Sequence, residues 1–124
     1  MLLDSNILIY GAQGAHPALD AILDRTDLAA ASVTQIETLG FHRLSIIERH
    51  WLEAAFERMH ILRLDEAVTA RAILLRQERK MGLADAIIAA TALVHQLPLV
   101  TRNIGDFKQV AGLQIIDPFT SGTN

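Results

Sequence analysis

The feature that most limits the folds open to this chain is a helix with almost nothing to offer water. From Leu83 to Val94 the residues Ala86, Ile87, Ile88, Ala89, Ala90, Ala92, Leu93 and Val94 surround nearly the whole helical circumference. A helix that is apolar all round belongs inside a domain. Gln96-Leu97-Pro98 predicts its end, and Leu99-Val100-Thr101 predicts a short apolar strand directly after it. Arg102-Asn103-Ile104-Gly105-Asp106-Phe107 then leaves that strand for another helical turn. A buried helix, a tight turn, a buried strand and a second helix make half of a parallel α/β repeat. Two isolated acids stand in this apolar stretch. Asp85 falls in the first helical turn, where free N–H groups favour a carboxylate. Asp106 falls beyond the strand, at the sheet edge where ligands of such folds bind.

The rest of the chain supplies the missing half. Met1-Leu2-Leu3 reads as an apolar strand ending in Asp4, and Ile7 to Tyr10 as a short helix stopped by Gly11 and Gly14. Asp4, Ser5 and Asn6 are all good helix caps, and capping alone accounts for Asp4 taken in isolation. Leu19, Ile22 and Leu23 predict an amphipathic helix over Ala18 to Arg25, and Leu28 to Val33 a small-residue strand buried on both faces. Thr34-Gln35-Ile36-Glu37 matches the capping box, which leaves Glu37 open between cap and site. That helix is expected to run on through Leu39 and Phe41. Ser45-Ile46-Ile47-Glu48 repeats the box and opens a helix with Ile47, Trp51, Ala54 and Ala55 on one stripe. Phe41, Ile46, Trp51 and Phe56 are read as core residues or as a groove for a partner. His60 to Leu64 is a third strand. Asp65 and Glu66 start a helix to about Lys80 whose inner face is Val68, Ala72 and Leu75, with Asp65 as its cap. Leu113 to Ile116 is the last strand, and Asp117 before Pro118 is a turn residue.

The expected fold is therefore α/β: a three-layer α/β/α domain around a parallel sheet of about five short strands, with right-handed crossovers. At 124 residues the chain is taken as a single domain over 1–124. The absence of cysteine excludes a disulfide scaffold, thiolate catalysis and a Cys-ligated zinc. The five histidines, His16, His42, His50, His60 and His95, show no HExxH spacing and pair with no nucleophile motif. With no run of eighteen apolar residues and no charged-then-apolar leader, a soluble cytoplasmic protein without membrane contact is expected. A net charge of -3 argues against holding nucleic acid by bulk electrostatics alone. The bases are unevenly spread: residues 43 to 80 carry eight, against one in residues 1 to 42 and two from 81 onward.

Asp4 and Asp106 follow strands, while Glu37 and Asp85 fall in first helical turns, so all four can converge above one edge of the sheet. Four carboxylates cannot share so small a space unpaired, because like charges force some to remain protonated. A divalent cation removes the conflict, and an all-oxygen donor set selects a hard ion, Mg2+ or Mn2+. Such a site suits hydrolysis of a phosphodiester. A phosphoacceptor receiver domain would also place acids at strand ends, but it requires a lysine after a late strand. Thr101-Arg102-Asn103 stands there instead.

LLDSNILIY, SVTQIETLGF and above all GLADAIIAATALVHQLPLVTRNIGDF resemble the PIN-domain family, and within it the VapC-type toxin ribonucleases of bacterial toxin–antitoxin pairs. The resemblance spans nearly the whole chain. It implies an acidic quartet of Asp4, Glu37, Asp85 and Asp106 that binds Mg2+ or Mn2+ and cleaves RNA. It implies supporting roles for Asn6, Thr101 and Asn103 as polar groups orienting the ligands. It further implies a homodimer silenced by a small cognate antitoxin, which adds weight to the Phe41 to Phe56 region as a partner surface. A PIN nuclease that is not a toxin, or a non-catalytic RNA-binding PIN module, is the alternative.

Overall fold

Leu2 and Leu3 are successive residues of one strand, so their side chains leave opposite faces of the sheet, and both are fully buried. That alone requires cover on both sides. The computed structural model, which describes residues 1–120, supplies it. Five strands, β1 (Leu2–Leu3), β2 (Ala29–Ala31), β3 (His60–Leu62), β4 (Leu99–Val100) and β5 (Ile115–Ile116), pair in the order β3-β2-β1-β4-β5. Every pairing is parallel. Helices α1 (Ser5–Gln13), α2 (Asp20–Leu23), α3 (Ser32–Leu39), α4 (Ile46–Glu57), α5 (Glu66–Glu78), α6 (Leu83–His95) and α7 (Ile104–Phe107) connect them, with a 3-10 turn at Pro17–Leu19.

The two faces have separate cores. Leu2, Ala29, Ala31 and Leu99 pack with Val68, Ala72 and Leu75 of α5, with α6 from Ala86 to Ala90, and with Phe107. Leu3, Ala30 and Val100 pack with Ile7 and Leu8 of α1, Leu19, and Leu52, Ala55 and Phe56 of α4. Seven consecutive residues of α6, Ala86 to Ala92, are buried, as its all-round apolar character requires. Small side chains in β2 let both helical layers approach the sheet closely. No helix among the described residues is long and apolar enough to cross a membrane.

Four local expectations fail for physical reasons. Gly11 does not stop α1; it lies inside the helix, where a Cβ would come within 2.6 Å of the Trp51 ring. The glycine is there to let α4 close on α1, and Gly14, at φ +70°, makes the stop. Thr34 is not a cap either. Helix α3 starts at Ser32, straight off β2, with Ala31 at its N-cap making no side-chain bond. Thr34 is instead fully buried within the helix, accepting through its backbone carbonyl from the Thr38 hydroxyl at 2.8 Å. The helix ends at Leu39 rather than continuing through Phe41. In α4 the buried stripe is Leu52, Ala55 and Phe56, and Ile46 and Ile47 face water at 73% and 80% exposure. The second box does form: Ser45 Oγ accepts from Glu48 N–H and Glu48 Oε1 accepts from Ser45 N–H.

Candidate active site

Strands β2 and β3 lie on one side of β1, and β4 and β5 on the other, so the order of connection reverses between β1 and β4. A crevice opens at such a point beyond the carboxyl ends of the strands. Asp4 leaves β1 there as the N-cap of α1, only 4% exposed. Its two carboxylate oxygens are held separately. Oδ1 accepts from Ser5 N–H at 2.7 Å, and Oδ2 accepts from the Thr101 hydroxyl at 2.7 Å. Thr101 is fully buried at the end of β4. Its hydroxyl oxygen accepts from Asn103 N–H at 3.0 Å and from Asn6 Nδ2 at 3.4 Å, so its one proton is directed at Asp4. The backbone N–H of Arg102 reaches Asn6 Oδ1 at 3.5 Å.

Glu37 comes from the second turn of α3, not its first. Its Oε1 accepts the Ser5 hydroxyl at 2.6 Å. Ser5 thus touches two acids at once, one through its backbone and one through its side chain. Sequence alone marks Ser5 only as a cap candidate. The signal that could have found it is its place directly after a strand-end acid in a buried turn. Asn103 donates its backbone N–H to the Thr101 hydroxyl. Asp85 stands in the first turn of α6, half-buried, and Asp106 in the first turn of α7, exposed.

These four acids lie within one another's electrostatic reach. Burial pushes the Asp4 carboxyl up, against the Thr101 and Ser5 hydrogen bonds that lower it, and the charges of Glu37 and Asp106 push it further up. Asp85 is pushed up to about 6, first by burial and then by Asp4, Asp106 and Glu37. Among the described residues, no three acidic or histidine side chains already stand close enough to cage an ion. The donor chemistry nevertheless fits a hard divalent cation: each Asp4 oxygen has one lone pair still free, Glu37 Oε2 and both Asp106 oxygens have no protein donor among the described residues, and no thiolate or imidazole competes.

Comparison with known proteins covers most of the chain. A family model described as the PIN domain matches residues 1–113. The tRNA(fMet)-specific endonuclease VapC of Shigella flexneri is 30% identical over 126 residues, an alignment taking in 94% of this chain and 96% of that protein. A toxin–antitoxin complex from Klebsiella pneumoniae contains a chain 30% identical, superposing with a TM-score of 0.78 over 95% of this chain and 97% of its own. FitAcB from Neisseria gonorrhoeae is similar at 27% identity and a TM-score of 0.74, covering 94% and 96% of the two chains.

Proposed function

The chain belongs to the PIN-domain family, with VapC proteins among its relatives, and from that premise we propose that it is a metal-dependent endoribonuclease, the toxin of a toxin–antitoxin pair. Asp4, Glu37, Asp85 and Asp106 are the residues that would hold Mg2+ or Mn2+, directly or through water. The observation that most supports this is electrostatic: four acids from four different segments share the reversal point of the sheet, and two of them are pushed towards their neutral forms by burial and by one another. A fold gains nothing in stability from such crowding.

When bound, the cation supplies Lewis-acid polarisation of a phosphodiester and lowers the pKa of a coordinated water. The chain's own residues do the rest. Thr101 and Ser5 fix both oxygens of Asp4, so the carboxylate is oriented before substrate arrives. The Ser5 hydroxyl holds Glu37 by one oxygen and leaves the other to position the attacking water and take its proton. Asp85, with its pKa raised to about 6, carries a proton in mildly acid solution and would have to give it up to hold a cation. Asn6 keeps the Thr101 hydroxyl pointed at Asp4 by occupying its lone pair.

The single domain proposed over 1–124, of which 121–124 lie outside the described residues, acts in the cytoplasm on RNA. A homodimer and a small antitoxin are its protein partners. Ile36, Phe41, Ile46 and Ile47, exposed by 52% to 80%, support a partner surface beside α3 and α4. The test is cleavage of RNA by purified protein with Mn2+ added and then chelated. Cleavage that survives chelation, or that is unchanged in folded Asp4→Asn protein, sinks the proposal.

A further inference from the structure

Arg102 leaves the end of β4 one residue after Thr101, the side chain that fixes Asp4. Its guanidinium carbon stands 4.4 Å from the centre of the Phe119 ring and 5.1 Å from that of Tyr10. Those rings are themselves braced. Tyr10 meets Phe119 edge to face at 5.4 Å, and His16 meets both, at 4.9 Å and 5.7 Å. Three segments of chain, α1, the turn before Pro17 and the stretch after β5, therefore converge to hold one arginine by its flat face. Its backbone is fixed as well, through Asn6 Oδ1.

The polar edge of that arginine has no partner among the described residues. Among the described residues the ion pairs are Arg25 with Asp27 and Arg79 with Glu78, and the Arg102 guanidinium takes part in no hydrogen bond or ion pair although acids crowd the same sheet edge. Among the described residues its five N–H donors, set in a rigid fork on an exposed side chain, have no acceptor. From residue 81 onward the chain has only two bases, Arg102 and Lys108. Aromatic faces prearrange a guanidinium while sparing its donors, and a fork so held matches the oxygens of a phosphate.

We propose that Arg102 is a substrate-binding residue: it grips a backbone phosphate flanking the bond to be cut, on the α1 side of the acidic crevice, and so sets the register of the RNA strand across Asp4. The inference rests on the nuclease reading above. A flanking phosphate is the partner because the scissile one would face the acids and their cation, whereas Arg102 is held against the Tyr10 and Phe119 rings and pairs with none of those acids among the described residues.

The test measures binding of a labelled single-stranded oligoribonucleotide to the Asp4→Asn protein with Mg2+ at several KCl concentrations, with wild-type cleavage run alongside. Adding Arg102→Gln should weaken binding about tenfold and flatten the plot of log affinity against log salt by about 0.7, one phosphate contact on a single strand. Arg102→Lys should restore the slope and only part of the affinity, lacking the planar fork. Phe119→Leu should lose affinity with the slope kept, because the charge remains and its brace does not. A purely structural arginine would change the melting temperature and leave the slope alone. If wild type cuts RNA and Arg102→Gln binds with unaltered affinity and slope, the role of Arg102 is overturned and the nuclease reading stands. Wild-type protein that neither binds nor cuts RNA overturns both.

Discussion

Asp4 and Asp65 begin from the same local chemistry. Each closes an extended segment after a strand, each takes an N-cap conformation, and each carboxylate accepts a backbone N–H of the helix it opens. Asp65 stops there: one oxygen accepts from Val68 N–H at 2.9 Å beside the edge strand β3. Asp4 lies beyond the central strand, buried, with a hydroxyl on its other oxygen and three further acids around it. A cap motif is thus a local fact, and a site is a topological one. What separates the two aspartates is their strand's rank in the sheet.

The contrast can be broken in four ways. The largest effect is expected from Asp4→Asn, which should lower RNA cleavage by more than about a hundredfold, several kcal/mol of transition-state stabilisation. Asp65→Asn should leave cleavage at the wild-type rate, and an equal loss in both, assayed on the same RNA, would erase the distinction. Next comes Thr101→Val, which strips Asp4 of the hydroxyl that Asp65 never had. Cleavage should fall about tenfold, as for loss of a ligand-orienting partner, while circular dichroism shows the fold retained. The third concerns acidity. The Asp85 carboxyl sits above its ordinary value, at about 6, so the folded protein binds the proton more tightly than the unfolded chain does. Its contribution to stability is complete below about pH 4 and is lost as pH rises through about 6. Metal-free protein should therefore melt at a lower temperature at pH 7 than at pH 5, and Asp85→Asn should remove much of that slope. Melting curves at both pH values with chelator present decide it. The smallest effect belongs to Asp65→Ala, about 1 kcal/mol of stability from a lost cap with no change in activity, read by urea denaturation.

How far the fold is legible from the sequence depends on the range over which the cause acts. Helix α6 announces itself because burial on every side must be written into every residue, and the parallel sheet follows from it. The [ST]-x-x-E pattern shows the opposite case. It occurs at Thr34–Glu37 and at Ser45–Glu48, and only the second is a capping box. At the first, β2 feeds the helix directly, so the helix starts at Ser32 and the glutamate is left to meet Ser5, 32 residues away. No local rule contains that contact. Gly11 misled in the same manner, since its reason is a tryptophan on another helix. The four candidate acids were named from their places at strand ends and helix starts and from motif resemblance. Their mutual charging, and the part played by Ser5, needed the three-dimensional arrangement.

The acids stand at positions 4, 37, 85 and 106, and β4, which carries the hydroxyl for the first of them, is followed by yet another strand. No contiguous fragment assembles the pocket. On the ribosome, the first acid is made about a hundred residues before the last of its companions. A chain cut between Asp4 and Asp106 would carry the first acids and lack the rest, and with them the proposed cation site.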